Sequence, residues 1–274
     1  MLNISDKLKT FSEALPSIKK FTGKIVVIKY GGSTMVDINL KQRIVEDIIL
    51  LSYLGIKPVI VHGGGPIIDK WLRKCDISPR FKNGIRITDA TTMEIVEMVL
   101  VGQINKELVS LINSKGGQAV GLSGKDANLI EAFPLFQHIN DFAGQVGNID
   151  VSILNLLLSQ GYIPVIASVA SDASGLSYNI NADIVAGEIA GQLNSYKLIL
   201  LTDVSGIMYN PSDNKTVLSE LTVAKIQQLK NSKVISGGMI PKVDSCVCAV
   251  SKGVESAHIL DGKVDHILLS IFFN

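Results

Sequence analysis

The stretch Lys24-Ile-Val-Val-Ile-Lys29, closed by Tyr30-Gly31-Gly32, decides how the rest of the chain is read. It is a short apolar run rich in β-branched residues and bounded by glycine on both sides. That is the pattern of a strand buried on both faces of a parallel sheet. The same unit then recurs. Ile38–Leu54 carries apolar residues at helical spacing and stops at Gly55. Pro58–Val61 (PVIV) reads as the next strand, followed by the turn His62-Gly63-Gly64-Gly65-Pro66 and a helix over Ile67–Lys74. Thr91–Ser114 reads as a long helix ended by Gly116-Gly117, Ala119–Leu122 as a strand, Val151–Ser159 as a helix and Ile163–Ser168 as a strand. Ala182–Leu193 and Lys197–Leu201 make another helix–strand pair, Leu221–Leu229 and Val243–Ser251 are helical, and His266–Ser270 reads as a last short strand. Repeated strand–turn–helix units predict an α/β protein, a three-layer αβα sandwich around a mainly parallel open sheet.

The totals agree with that class. A chain of 274 residues suits one large α/β domain or two fused lobes. With 47% hydrophobic and 19% charged residues it can bury a sizeable core and is not disordered. A net charge of +1 gives no reason to expect nucleic acid as a partner. Cys75, Cys246 and Cys248 are too few and too oddly placed for a disulfide framework or a zinc site, and read as ordinary thiols. No run reaches the roughly 18 apolar residues of a membrane span. Asp6 and Glu13 argue against a signal or transit peptide. The segment Ile4–Phe21 carries an apolar stripe of Leu8, Phe11, Leu15, Ile18 and Phe21 with a break at Pro16. Periodicity leaves open whether it packs on its own domain or on another subunit. A seam near Gly191–Tyr196 divides the chain into an arm (1–23) and two lobes (24–194 and 195–274) that share one sheet.

Two glycine turns follow strands closely, Gly31-Gly32 and Gly63-Gly64-Gly65. Beyond the carboxyl end of a parallel strand, such turns let backbone N–H groups approach anionic oxygens, and the following helix N-terminus favours negative charge. A single pair would read as a tight turn; two on successive strands point to phosphate. There is no Walker A sequence, since Gly121-Leu-Ser-Gly-Lys125 is followed by Asp126, and no protein-kinase motif set. Phosphoryl transfer needs cations around the equatorial oxygens. Lys29 at a strand end, and Lys242 in Gly237-Gly-Met-Ile-Pro-Lys242 at a helix start, are the candidates. Asn179-Ile-Asn-Ala-Asp183 sets small polar residues at a helix N-terminus, which by itself is also the pattern of plain N-capping.

Taken together, Lys29-Tyr-Gly-Gly32, Val61-His-Gly-Gly-Gly-Pro66, Asn83-Gly-Ile-Arg-Ile-Thr88, Asn179-Ile-Asn-Ala-Asp183, Thr202-Asp-Val-Ser-Gly-Ile207 and Gly237–Lys242 resemble the N-acetylglutamate kinases of the amino-acid kinase family. The resemblance runs in order over nearly the whole chain, and the Asn83–Thr88 and Asn179–Asp183 motifs are its most specific parts. It implies transfer of phosphoryl from ATP, with Mg2+, to the γ-carboxylate of N-acetyl-L-glutamate, and no tightly bound cofactor or protein-held metal. It implies that Lys29 and Lys242 stabilise the transferring phosphoryl and that Asp183 orients both. Gly31, Gly32 and Gly64 would give N–H groups to the phosphates, and Gly64 and Gly65 would meet the acetylglutamate. Arg86 and Asn179 would clamp its α-carboxylate. Asp203, Val204, Ser205, Gly206, Ile207 and Met208, with Val234, Ile235 and Ser236, would hold the adenosine. The lobe 24–194 would then bind acetylglutamate and 195–274 the nucleotide. A carboxylate is already ionised at neutral pH, so no general base is needed, and His62 reads as structural. His138 and His266 carry no assignment.

The same resemblance extends to regulation. The arm resembles the extra helix through which arginine-inhibited relatives form hexamers, trimers of dimers, and Ala257–Gly262 resembles their arginine region, with His258 as a contact. Those relatives continue past their last strand with an acidic, glycine-containing tail, whereas this sequence ends at Phe272-Phe273-Asn274. A likeness to cyanobacterial and plastid members implies the PII signalling protein as a candidate partner, and cytoplasm or plastid stroma as the location. Glutamate 5-kinase, aspartokinase and carbamate kinase are rivals that Arg86 with Asn179 argues against. A silent sensor on the same fold would have little use for Lys29, Asp183 and Lys242. A dinucleotide-binding oxidoreductase would want a G-x-G-x-x-G turn that Gly31-Gly32 does not supply.

Overall fold

The β-branched run after Gly23 is extended and paired on both sides, as its composition favours. The computed structural model describes residues 3–82, 84–136, 140–210 and 213–273, with the backbone alone at 5, 7, 10, 11, 33 and 214. Asn83, His138, Asn274 and the side chain of Phe11 therefore lie outside the described residues.

In chain order α1 (Ile4–Phe21) leads to β1 (Ile25–Tyr30), α2 (Ile38–Tyr53), β2 (Lys57–His62) and α3 (Gly65–Lys74). The hairpin of β3 (Phe81–Lys82) and β4 (Ile85–Arg86) precedes α4 (Ala90–Glu97), which passes through a π-helical segment at Met98–Ile104 into α5 (Asn105–Ser114). Next come β5 (Ala119–Ser123), β6 (Ile130–Pro134), β7 (Ala143–Ile149), α6 (Ser152–Ser159), β8 (Ile163–Ala167), β9 (Val169–Ser171) and β10 (Ser177–Ile180). The chain closes with α7 (Ala182–Gln192), β11 (Lys197–Thr202), α8 (Val223–Asn231), α9 (Met239–Ser251), β12 (Ser256–Asp261) and α10 (Ile267–Phe273). Six strands form one parallel sheet in the order β12-β11-β1-β2-β8-β5, and β10-β7-β6-β9 close a small barrel.

Side chains alternate across a strand, so each strand feeds two cores. Val26, Ile28 and Tyr30 of β1 join a cluster with α2, the α4–α5 helix and α10. Val27 joins the opposite cluster, with Val59 and Val61, α6, α7, α9 and the barrel. This is the expected three-layer arrangement. It also gives Lys29 its direction, because Lys29 shares the face of Val27 and points toward α7.

The expected last strand is a correction. His266–Ser270 is not extended: Ile267–Phe273 is helical, and the sheet is completed by β12 instead. A short apolar run fits either form, and packing decides. Phe272 stacks edge-on against Phe21 of α1, ring centres 5.1 Å apart, while Leu268 is fully buried. His266, at φ 53°, turns the chain, and its Nδ1 lies 2.7 Å from Asp47 Oδ1 of α2. The barrel strands and the β3–β4 hairpin are additions that the periodicity does not announce. Pro16 does not break α1, which runs through it.

Candidate active site

The conserved geometry of parallel sheets puts ligand sites beyond the carboxyl ends of the strands, and the singled-out residues gather there. Lys29 stands near the end of β1, the glycine turns follow β1 and β2, Asp203 follows β11, and Asn179 lies on β10 just before the N-terminus of α7. At that N-terminus Asn181 caps the helix, its Oδ1 accepting from the Asp183 N–H at 2.8 Å. Asp183 is thereby aimed back over the sheet. Gly187, one turn on, explains how α9 comes close: a Cβ there would lie 2.8 Å from the Ser245 carbonyl oxygen. The close approach of α7 and α9 delivers Lys242 to the same carboxylate.

Asp183 consequently bridges two lysines. Lys29 Nζ lies 3.1 Å from its Oδ1, and Lys242 Nζ donates to Oδ2 at 2.8 Å. Burial alone would raise the Asp183 carboxyl, yet the two ammonium groups outweigh burial and hold it below the ordinary carboxylate value. Burial draws Lys29 below the ordinary lysine value, with Asp183 working in the opposite direction and Lys242 adding to the fall. The result is a pair of cations fixed on one anion, with Gly31 and Gly32 alongside. A Cβ on Gly31 would meet Lys29 Nζ at 2.5 Å, and one on Gly32, at φ 77°, would meet Asp203 Oδ1 at 2.8 Å. At Gly32 the positive φ itself favours glycine, while at Gly31 a side chain would have to displace the Lys29 ammonium.

Arg86 makes a second centre. Its guanidinium is buried, with Nη2 2.7 Å from Asp69 Oδ1 and 3.4 Å from the Gly65 carbonyl. The Phe81 ring centre lies 4.8 Å from its central carbon. Its Nη1 is buried and has no hydrogen-bond partner among the described residues. Thr88 Oγ1 donates to the Arg86 carbonyl at 3.0 Å and accepts from Asn179 Nδ2 at 3.2 Å. Arg86 and Asn179, far apart in sequence, are thus joined through one hydroxyl. Gly64 faces the π segment: a Cβ there would meet Ile104 Cδ1 at 2.3 Å and Leu100 Cδ2 at 2.6 Å. Nothing would obstruct a Cβ on Gly65 within 4 Å.

The other expected groups are also located. Ile207, Val234 and Ile235 belong to one small apolar cluster with Leu229 and Val243, so Asp203–Met208 and Val234–Ser236 lie side by side. Met208 forms a bridge with Val217, and Gly206 sits at φ 136°. His62 is fully buried and its pKa is pushed down to about 4 by burial, so the ring is neutral. Its Nδ1 lies 3.1 Å from the Gly63 carbonyl and its Nε2 3.2 Å from Asn105 Nδ2, a structural arrangement. Among the described residues no group of three or more His, Cys, Asp or Glu gathers to hold a metal ion. Sequence reasoning missed Asp69, Phe81 and the link through Thr88. Thr88 closes the quoted Asn83–Thr88 motif and was within reach; the Asp69 and Phe81 contacts depend on a helix and a hairpin that periodicity does not bring together.

The chain matches the sequence profile of the Amino acid kinase family over residues 24–261. It is 55% identical over 270 residues to the acetylglutamate kinase of Gracilaria tenuistipitata var. liui, covering 98% of this chain and 95% of that protein. With the acetylglutamate kinase of Thermosynechococcus vestitus it shares 53% identity over 273 residues, 100% of this chain and 92% of that one. Among solved structures, smu.665 from Streptococcus mutans UA159 superposes with TM-score 0.78 at 30% identity, covering 86% of this chain and 94% of that one. N-acetylglutamate synthase from Neisseria gonorrhoeae, complexed with coenzyme A and N-acetyl-glutamate, gives TM-score 0.84 at 24% identity. The match covers 97% of this chain and 61% of the synthase, and the likeness is one of fold.

Proposed function

The chain belongs to the amino acid kinase family and, within it, to the acetylglutamate kinases, and from that premise we propose that it phosphorylates the γ-carboxylate of N-acetyl-L-glutamate with Mg-ATP in arginine biosynthesis. The observation that carries the reaction class is the Lys29–Asp183–Lys242 bridge, two cations held on one buried carboxylate beside a glycine turn. The γ-carboxylate oxygen attacks the γ-phosphorus, the bond from that phosphorus to the β–γ bridging oxygen breaks, and ADP leaves. The nucleophile is already ionised, so no proton has to move. Lys29 and Lys242 stabilise charge on the transferring group, and Asp183 keeps the two ammoniums at fixed separation. Mg2+ would enter with ATP as part of the co-substrate and would supply neutralisation of phosphate charge.

Arg86 and Asn179 hold the substrate's α-carboxylate. The buried, unpartnered Nη1 of Arg86 supports this, because a buried donor without an acceptor is costly unless a ligand supplies one. Gly31, Gly32 and Gly64 offer N–H groups to the phosphates, Gly64 and Gly65 face the acetylglutamate, and 203–208 with 234–236 receive the adenosine. Lobe 24–194 would take the amino acid, lobe 195–274 the nucleotide, and the arm 1–23 a subunit contact. Ile4, Leu8 and Leu15 of α1 are exposed, which supports a hexamer built through that helix. His258, whose Nε2 lies 3.2 Å from Lys197 Nζ, belongs to the proposed arginine region, and PII is the proposed protein partner in cytoplasm or plastid stroma. Among the described residues no helix is long and apolar enough to cross a membrane.

The test is ADP release from Mg-ATP with N-acetyl-L-glutamate, L-glutamate and L-aspartate supplied in turn. Release with the acetylated acid alone is expected; release with free glutamate or aspartate instead would discard the substrate assignment. Sedimentation as a dimer would sink the hexamer, and undiminished activity in millimolar arginine would sink the inhibition.

A further inference from the structure

The two arms of the carboxylate clamp come from different parts of the fold, and something must set their separation. Arg86 lies on the two-residue strand β4, Asn179 on the barrel strand β10. Between them stands Thr88, with no exposed surface at all. A hydroxyl has one hydrogen to give and lone pairs to accept with. The Thr88 hydrogen is committed to the Arg86 carbonyl at 3.0 Å, so toward Asn179 its oxygen can act only as an acceptor. That choice decides which way the Asn179 amide faces: Nδ2 must turn to Thr88 at 3.2 Å, and its second hydrogen remains available to an anion. The surrounding backbone keeps Thr88 in place. Its carbonyl accepts from the Phe142 N–H at 2.6 Å, and the Phe142 carbonyl accepts from the Asn179 N–H at 2.9 Å. Asp141 Oδ1 accepts from the N–H groups of Thr88 at 3.2 Å and Ala143 at 3.0 Å.

We propose that Thr88 is a positioning residue whose hydroxyl fixes the orientation of the Asn179 amide relative to Arg86, and so sets affinity for the carboxylate of the amino-acid substrate. It acts through Asn179 and touches no substrate itself. The inference rests on the reaction proposed above. Without the hydroxyl the amide is free to turn its oxygen toward the substrate carboxylate, replacing an attraction by a repulsion. Hydrogen bonds to charged groups are worth enough that losing one raises KM about tenfold. The nucleotide and the two lysines lie elsewhere, so kcat and the KM for Mg-ATP should move by no more than about twofold.

The experiment measures kcat, both KM values and melting temperature for the parent, Thr88→Val, Thr88→Ser, Asn179→Ala and the double variant Thr88→Val/Asn179→Ala. The expected result is a KM for N-acetyl-L-glutamate about tenfold higher in Thr88→Val, near-parental values in Thr88→Ser, and no added effect of Thr88→Val once Asn179 is gone. An unchanged KM in Thr88→Val overturns the proposal, and so does a full tenfold effect persisting in the Asn179→Ala background. If Thr88→Val does not fold, Thr88→Ala is read by the same criteria. A parent inactive on N-acetyl-L-glutamate would refute the underlying reaction; an active parent with an indifferent Thr88→Val refutes only this inference.

Discussion

Replacing Asp183 by asparagine keeps the shape of the side chain and removes its charge. In the parent its oxygens lie 3.1 Å from Lys29 Nζ and 2.8 Å from Lys242 Nζ, with the carboxylate and Lys29 both nearly sealed from solvent. At an effective dielectric of about 20, unit charges about 3 Å apart attract by roughly 5 kcal/mol before desolvation is counted. Removing one partner of a buried ion pair leaves a net destabilisation of about 3–5 kcal/mol. Here the loss is shared by two ammonium groups, which then repel each other with no anion between them. They separate, and the cations that should meet the transferring phosphoryl are misplaced. Loss of one preorganised electrostatic contact raises a barrier by about 3–4 kcal/mol, which corresponds to two to three powers of ten in rate. Steady-state ADP release at saturating concentrations of both substrates should show kcat for Asp183→Asn lower by about 100- to 1,000-fold. Thermal unfolding of the same variant should occur at lower temperature. A kcat within about threefold of the parent, with an unchanged melting temperature, would refute the reasoning.

Three further outcomes follow from the same geometry. Arg86→Lys replaces a planar fork with a point charge, so the KM for N-acetyl-L-glutamate should rise at least about tenfold, with little change in the KM for Mg-ATP; equal rises in both would contradict the clamp. Gly64→Ala puts a methyl group 2.3 Å from Ile104 Cδ1 in a packed region, which should cost about 1–3 kcal/mol and lower the melting temperature in calorimetry; no measurable fall would mean that the π segment yields freely. The hydrogen bond to Asp47 raises the pKa of His266, so its stabilising contribution is complete below about pH 6.5 and fades as pH rises through the raised folded value. The melting temperature of the parent minus that of His266→Gln should therefore shrink as the pH is raised above about 6.5, and a constant difference would count against the α10–α2 contact.

How much of this was legible in the sequence depends on how each element is buried. Strands β1, β2, β8 and β11 are buried almost throughout, so they read as unbroken apolar runs, and the glycine turns after β1 and β2 read with them. β12 is an edge strand whose residues are all half-buried, and its sequence SAHILD has no matching signal. In the barrel, Ala143–Ile149 mixes glycine, glutamine and asparagine, because this small sheet exposes part of one face and is held by backbone pairing. The run Ile267–Phe273 is apolar on nearly every position, and only its contacts with α1 and α2 make it helical. At the site, Lys29, Asp183 and Lys242 could be named from motifs. Their meeting on one carboxylate depends on the capped start of α7, which the Asn179–Asp183 pattern signals, and on the close approach of α9 at Gly187, which no local pattern reports. The Asp69 and Phe81 contacts with Arg86 were hidden for the same reason.

The two lysines held on Asp183 are proposed to stabilise the phosphoryl group as it passes from ATP to a carboxylate. Hydroxylamine trapping tests this most directly, because an acyl phosphate is captured as its hydroxamate. With Mg-ATP and N-acetyl-L-glutamate, the parent should form hydroxamate in step with ADP, and Lys29→Ala should form it at least about 100-fold more slowly. Hydroxamate from Lys29→Ala at close to the parental rate, or ADP from the parent with no trapped acyl phosphate, would contradict the account.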